Sequence, residues 1–129
     1  MRLGYVIVYV EDVAATLSFY ESAFGLERGF LDEEGMFGTL NTGSTSLSFA
    51  HESMIEKNGL DAWYNRLDET PPGVEIALVA QDVDAAYAKA IEYGAVATVV
   101  PAQKPWGQRV AYVRDNNGFL VEICSEMGG

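Results

Sequence analysis

The sequence has little of what secreted, membrane-spanning and nucleic-acid-binding proteins require. Its 129 residues include one cysteine, Cys124, so no disulfide can form within the chain and nothing indicates secretion. No apolar run approaches the roughly 18 residues that a membrane-spanning helix needs. The chain passes from Met1 into a strand-like run at Tyr5 without the pattern of a signal peptide. We therefore expect a cytoplasmic protein.

Positive charge is also scarce, because 8 basic residues stand against 19 acidic ones and the net charge is −11. Nucleic-acid binding needs a basic surface that displaces counterions, and an anionic membrane repels an acidic protein. Nucleic acids and anionic membranes are therefore excluded as expected partners. An acidic surface attracts a cationic ligand or a metal ion, or it serves solubility alone.

What is present is the composition of one folded domain with an internal repeat. Apolar residues make up 49% and charged residues 21% of the chain, as in ordinary globular proteins. Residues 5–16 and 75–86 both contain an apolar run followed by Asp-Val and a helical start. Asp12 and Asp82 fit helix N-caps. An apolar helix face and a terminating glycine follow each cap: Val13, Leu17, Tyr20, Phe24 and Gly25 in the first copy, and Val83, Tyr87, Ala90, Ile91 and Gly94 in the second.

Further strand-like segments and turns follow each helix, so each copy predicts the order β-α-β-β-β. The expected fold is α+β, with two such modules forming a curved mixed sheet around a cleft. We place module 1 at about 1–52, a linker with a short helix at about 53–72, and module 2 at about 73–129.

Strand alternation places two carboxylates on the strand faces that point away from the helices. Glu75 on the first strand of module 2 and Glu122 on its last strand occupy positions where an apolar residue is expected. The repeat puts Tyr5 and Ser48 at the equivalent positions of module 1. These four residues form the candidate site. If both glutamates face one cavity, their repulsion raises the proton affinity of one of them.

Other residues extend this candidate site, each with a simpler alternative. Ile7 and Tyr9 share the face of Tyr5, where the tyrosines line a pocket or only pack. Trp106 either covers the pocket with its indole or packs on the sheet edge. Arg109 either pairs with an anionic ligand or neutralises a glutamate.

Four further residues are set apart from the candidate site. The lone histidine, His51, shares the parity of the helix-facing residues of its strand and is expected at the strand end. Cys124 lies on the cleft side without a basic neighbour and is expected to be an inert packed thiol. Trp63 in the linker, with its neighbour Tyr64, suits either a lid or a dimer contact, and we expect a homodimer because edge strands need cover.

Several segments together carry a resemblance to a known superfamily. They are 105–109 (Pro-Trp-Gly-Gln-Arg), 112–118 (Tyr-Val-Arg-Asp-Asn-Asn-Gly), 121–123 (Val-Glu-Ile), 82–87 (Asp-Val-Asp-Ala-Ala-Tyr) and 19–26, which includes Phe-Tyr and Phe-Gly-Leu. With the paired modules, the chain resembles the vicinal oxygen chelate superfamily of glyoxalases, bleomycin-resistance proteins and extradiol dioxygenases. The resemblance covers essentially the whole chain.

The resemblance also bears on metal binding. Metal enzymes of this superfamily place His, Gln or Glu ligands on the first and last strands of each module. The corresponding residues here are Tyr5, Ser48, Glu75 and Glu122, of which only the two glutamates are strong ligands. We therefore expect no metal or other cofactor. The alternative is a divalent ion held by Glu75 and Glu122.

Two classes of function follow. The first is a metal-free binding protein that sequesters an aromatic or cationic small molecule, as the drug-resistance members of the superfamily do. The second is a metal-dependent lyase, isomerase or dioxygenase. Glu122 and Glu75 are the candidate catalytic residues in an enzyme, including one that works by metal-free acid–base catalysis. In the simplest case they are hydrogen-bonded carboxylates of the fold.

Overall fold

A computed structural model describes residues 1–128, which form eight strands and three helices. In chain order these are β1 (Tyr5–Val10), α1 (Val13–Phe24), β2 (Glu27–Leu31), β3 (Phe37–Asn41), β4 (Ser46–His51), α2 (Ser53–Lys57), β5 (Glu75–Val79), α3 (Val83–Glu92), β6 (Val96–Gln103), β7 (Arg109–Arg114) and β8 (Leu120–Cys124). The chain divides into two compact units between Asn65 and Arg66. This boundary falls inside the predicted linker.

Each unit is built around one four-stranded mixed sheet. The strand order is β1-β4-β3-β2 in unit 1 and β5-β8-β7-β6 in unit 2. In both sheets the first and last strands of the module pair in parallel, and the other neighbours are antiparallel. The prediction of an α+β fold with two β-α-β-β-β modules is confirmed. The predicted cleft stays a prediction.

The two long helices begin where the aspartates of the repeat predict. The side chains of Asp12 and Asp82 each accept a hydrogen bond from the backbone N–H three residues further on, at 2.9 and 3.0 Å. Gly25 closes α1 in the left-handed conformation, with φ of 68°. Among residues 1–128 no helix is long and apolar enough to cross a membrane.

Strand alternation then places the core of each unit between its sheet and its long helix. In unit 1, Val8 and Val10 are buried, whereas Tyr5 and Ile7 are exposed on the opposite face. In unit 2 the residues buried on the helix side come from β7 and β8: Ala111, Val113, Val121 and Ile123. Each sheet therefore has one face covered by a helix and a second face, which we call the distal face.

Candidate functional site

The predicted site residues fall into two sets, one in each unit. Unit 1 holds Tyr5, Ile7, Tyr9 and Ser48, and unit 2 holds Glu75, Trp106, Arg109 and Glu122.

The distal face of unit 1 is aromatic and hydroxyl-bearing. Tyr5 and Ile7 stand on the edge strand β1 with exposed fractions of 62% and 44%. Tyr9 continues the same face, half-buried. Ser48 on β4 lies beside Ile7 and is fully buried, with its hydroxyl 3.1 Å from that of Ser46. These hydroxyls bond to each other, and the face combines them with exposed aromatic and aliphatic surface.

The strand registers confirm the equivalence that the repeat predicted. Ile7 pairs with Ser48 between β1 and β4, and Ala77 pairs with Glu122 between β5 and β8. Ser48 and Glu122 therefore occupy matching positions in the two sheets.

Glu75 and Glu122 meet on the distal face of unit 2. Both residues have the parity of this face, and their side chains are within hydrogen-bonding reach of one another. Glu75 is exposed as a residue, yet partial burial of its carboxyl raises its pKa, and the charge of Glu122 raises it further. The expectation that repulsion raises the proton affinity of one glutamate is met by Glu75.

Tyr112 completes this arrangement, and the sequence reasoning did not assign it to the site. It lies on β7 directly opposite Glu122, and its hydroxyl donates a hydrogen bond of 3.0 Å to Glu122 Oε1. Burial first, and the Glu122 carboxylate second, raise the pKa of Tyr112 to about 12. The sequence does contain a signal for this pairing. Tyr112 and Glu122 are equally far along the chain from Asn117 in the predicted turn, as partners in a hairpin must be.

Cys124 is the fourth member of the group. Its buried thiol lies 3.7 Å from the carbonyl oxygen of Leu78 and also contacts Glu122. Burial, followed by the proximity of Glu122, raises the pKa of Cys124 to about 11. The thiol thus stays protonated at neutral pH, in agreement with the expected inert thiol. We call Glu75, Tyr112, Glu122 and Cys124 the carboxylate cluster.

Arg114 connects the first residues of unit 2 to the distal face of its sheet. It shares the parity of Tyr112, and its guanidinium donates to the carbonyl oxygens of Arg66, Leu67 and Glu69, at 2.6 to 3.1 Å. A further bond of 2.8 Å reaches the carbonyl of Gly118 in the β7–β8 turn. The chain that leads to Glu75 is therefore held by hydrogen bonds from the Arg114 side chain to its backbone carbonyls within residues 66–69.

Arg109 is not brought to the carboxylate cluster. Its guanidinium forms two bonds of 2.6 and 2.8 Å with the carboxylate of Asp84, in the first turn of α3. The position has the parity of the buried Ala111 and Val113, so the side chain lies on the helix side of the sheet. The sequence suggested that Arg109 pairs with an anionic ligand or with a glutamate. Its partner in the structure is Asp84 instead.

Trp106 is presented at the surface by the turn between β6 and β7. Its indole N–H donates to Gln108 Oε1 at 2.8 Å, and the buried Gln108 side chain donates to the carbonyl of Ser125 at 3.0 Å. The ring remains 60% exposed. An indole whose polar atom is already bonded leaves its face available for stacking.

The remaining predicted residues belong to unit 1. His51 is the last residue of β4, as expected, and its Nδ1 lies 2.7 Å from the hydroxyl of Ser53. Trp63 and Tyr64 are both exposed, and Trp63 is 95% so.

The side chains do not fit a divalent metal. Among residues 1–128, neither unit gathers three or more His, Cys, Asp or Glu side chains suited to holding one. Catalytic zinc sites usually have about three protein ligands. The Tyr112 phenol and Cys124 thiol next to the two glutamates have pKa values raised to about 12 and about 11, and both groups are weak metal ligands while they are protonated. The donor chemistry therefore disagrees with that of the metal enzymes.

Comparisons with known proteins agree with this fold. The model of the glyoxalase-like domain family matches residues 3–128. A protein of Bacillus subtilis (strain 168), the uncharacterized protein YraH, is 27% identical over 125 residues, which cover 95% of this chain and 97% of that protein.

Two crystal structures extend the comparison. A glyoxalase-related enzyme from Fulvimarina pelagi superposes with a TM-score of 0.83 at 18% identity, covering 98% of this chain and 88% of that one. A member of the glyoxalase/bleomycin resistance protein/dioxygenase superfamily from Sphaerobacter thermophilus DSM 20745 has a TM-score of 0.72 at 26% identity, covering 98% of both chains.

Proposed function

The chain belongs to the glyoxalase-like domain family, within the vicinal oxygen chelate superfamily, and from this premise we propose that it is a small-molecule-binding protein that sequesters an aromatic or cationic ligand without a metal ion. Its fold alone is compatible with several activities, because one fold hosts many functions. The choice among them rests on the chemistry of the residues at the site.

The observation that carries the proposal is the carboxylate cluster. It combines two acidic side chains with donors that stay protonated, Tyr112 and Cys124. Such a set is poor for a divalent ion but suited to an organic cation, which needs negative charge and not a complete coordination shell. The net charge of −11 adds a field of the same sign.

Aromatic and aliphatic surface supports binding of the apolar part of a ligand. Tyr5 and Ile7 are exposed on the distal face of unit 1, Val79 on that of unit 2, and Trp106 presents its ring on a turn. Exposed aromatic faces stack on planar groups and attract cations through the ring quadrupole. On unit 2, sequestration of a planar cation uses the apolar surface of Val79 together with the charge of the carboxylate cluster on the same face of the sheet.

The proposal is tested on protein purified without a chelator or an affinity tag. Metal content is measured by elemental analysis, bound organic molecules by native mass spectrometry, and binding of added benzylammonium by NMR titration. The variants are Glu122→Gln and a control with the same charge change, Glu92→Gln, which lies exposed at the end of α3.

We expect well below one metal ion per chain in the wild type and in both variants. Binding of the organic cation should be weakened in Glu122→Gln and retained in Glu92→Gln. Stoichiometric nickel, zinc or manganese that disappears in Glu122→Gln overturns the proposal and favours a metal-dependent lyase, isomerase or dioxygenase.

A further inference from the structure

Glu122 is the one side chain of the carboxylate cluster that all the others touch. Tyr112 donates to its Oε1, the Cys124 thiol contacts it, and Glu75 is within hydrogen-bonding reach. A carboxylate on an extended side chain has several rotamers, and its direction in space depends on such contacts. Among these partners, Tyr112 forms a hydrogen bond of defined geometry, at 3.0 Å to Oε1.

Tyr112 is itself held firmly. It stands directly across the β7–β8 ladder from Glu122, between the pairs Val110–Cys124 and Arg114–Leu120. The neighbouring Arg114 is anchored by hydrogen bonds to four backbone carbonyl groups. The phenol therefore reaches Glu122 from a strand whose position is fixed on both sides.

We propose that Tyr112 is the positioning residue of this site: by binding Oε1 of Glu122 it turns the other carboxylate oxygen, Oε2, towards the ligand and so favours cations that donate a hydrogen bond. The inference rests on the proposed function, because it assigns the ligand class to the same cluster. It goes further by distinguishing a primary ammonium from a quaternary one.

The physical reason is the directional character of a charge-assisted hydrogen bond. An N⁺–H donor gains from an oxygen held in one direction, and the strength of the bond falls as its angle worsens. A quaternary ammonium has no N–H, so it responds to the charge of Glu122 and hardly to its orientation. Losing the Tyr112 hydroxyl should therefore affect the two kinds of cation differently.

The test compares benzylammonium with benzyltrimethylammonium on the full chain, by NMR titration of wild type, Tyr112→Phe and Glu122→Gln. The matched control is Tyr93→Phe, which removes the same hydroxyl from an exposed residue at the end of α3. Urea unfolding of each variant establishes that it is folded under the titration conditions.

We expect Tyr112→Phe to weaken benzylammonium binding about fivefold to tenfold, the loss typical of one ordinary hydrogen bond, and to change benzyltrimethylammonium binding less than about twofold. Glu122→Gln should weaken both cations, and Tyr93→Phe neither. If Glu122→Gln weakens both cations while Tyr112→Phe leaves benzylammonium unchanged, or weakens both equally, the positioning role is wrong and the proposed function survives.

A second readout does not depend on a ligand. Glutamate is labelled with ¹³C at its carboxyl carbon, and the Glu122 signal is identified by its loss in Glu122→Gln. We expect this signal to shift in Tyr112→Phe and to stay in place in Tyr93→Phe. An unshifted Glu122 signal in Tyr112→Phe overturns the proposal. This holds even if neither cation binds and the proposed function has failed.

Discussion

Replacing Asp115 with alanine should destabilise the protein strongly, because this side chain closes the turn that brings Tyr112 opposite Glu122. Asp115 is fully buried, and its Oδ1 accepts hydrogen bonds from the backbone N–H groups of Asn117 at 2.8 Å and Phe119 at 2.9 Å. Both donors belong to buried residues. A buried N–H left without a partner costs about 1–3 kcal/mol, so two of them imply a loss of about 2–6 kcal/mol.

The chain provides a matched control in the turn between β2 and β3. Asp32 also accepts two backbone N–H bonds, from Glu34 at 2.6 Å and Met36 at 2.9 Å, but this residue is partly exposed. Water can replace the lost partner there, so Asp32→Ala should cost about 0.5–1.5 kcal/mol, the net value of an ordinary hydrogen bond.

Urea unfolding followed by circular dichroism, with linear extrapolation of the free energy of unfolding, measures both losses. The reasoning is refuted if the two variants lose the same stability within about 0.5 kcal/mol, since burial is then not what makes the Asp115 bonds valuable.

Three further predictions follow from individual residues. Because partial burial and then the charge of Glu122 raise the pKa of Glu75 in the folded state, the contribution of Glu75 to the free energy of unfolding should fall as pH rises from 4.5 through the raised value; urea unfolding of wild type and Glu75→Gln at several pH values measures this contribution as the difference between the two, and a difference that does not change with pH contradicts it. A Cβ on Gly38 would lie 2.6 Å from Leu17 Cδ1, so Gly38→Ala should cost about 1–3 kcal/mol in the same assay; a neutral effect would show that α1 shifts freely. Sedimentation at micromolar concentration should give twice the chain mass of 14.1 kDa, and Trp63→Ser, at a residue 95% exposed, should favour the monomer; a wild-type monomer contradicts it.

The fold could be predicted from the sequence because its signals are local and occur twice. The aspartates at 12 and 82 cap their helices as their chemistry requires, and the alternation of β1 buries Val8 and Val10. Parity also placed Glu75 and Glu122 on one face of one sheet, since both strands are regular and pair in parallel without a bulge.

The surroundings of these glutamates were harder to predict because they depend on pairing between strands. Tyr112 becomes a partner of Glu122 only when the β7–β8 register is known. Arg109 reached Asp84 because the first turn of α3 lies within range of the first residue of β7, a distance that no periodicity reports. Strand parity puts Arg109 on the helix side of the sheet, with Ala111 and Val113, but parity does not identify the partner that it finds there.

The contrast between the two modules favours an organic cation over a metal ion. At matching strand positions, one module carries the hydroxyl of Ser48 and the other the carboxylate of Glu122. A metal ion needs several strong donors at once, which only one module supplies, and only two of them. An organic cation needs one well-directed carboxylate and apolar surface nearby. Tyr112 donates to Glu122 in one module, whereas the hydroxyl of Ser48 bonds to that of Ser46 in the other, so only one of these two matching positions carries a negative charge.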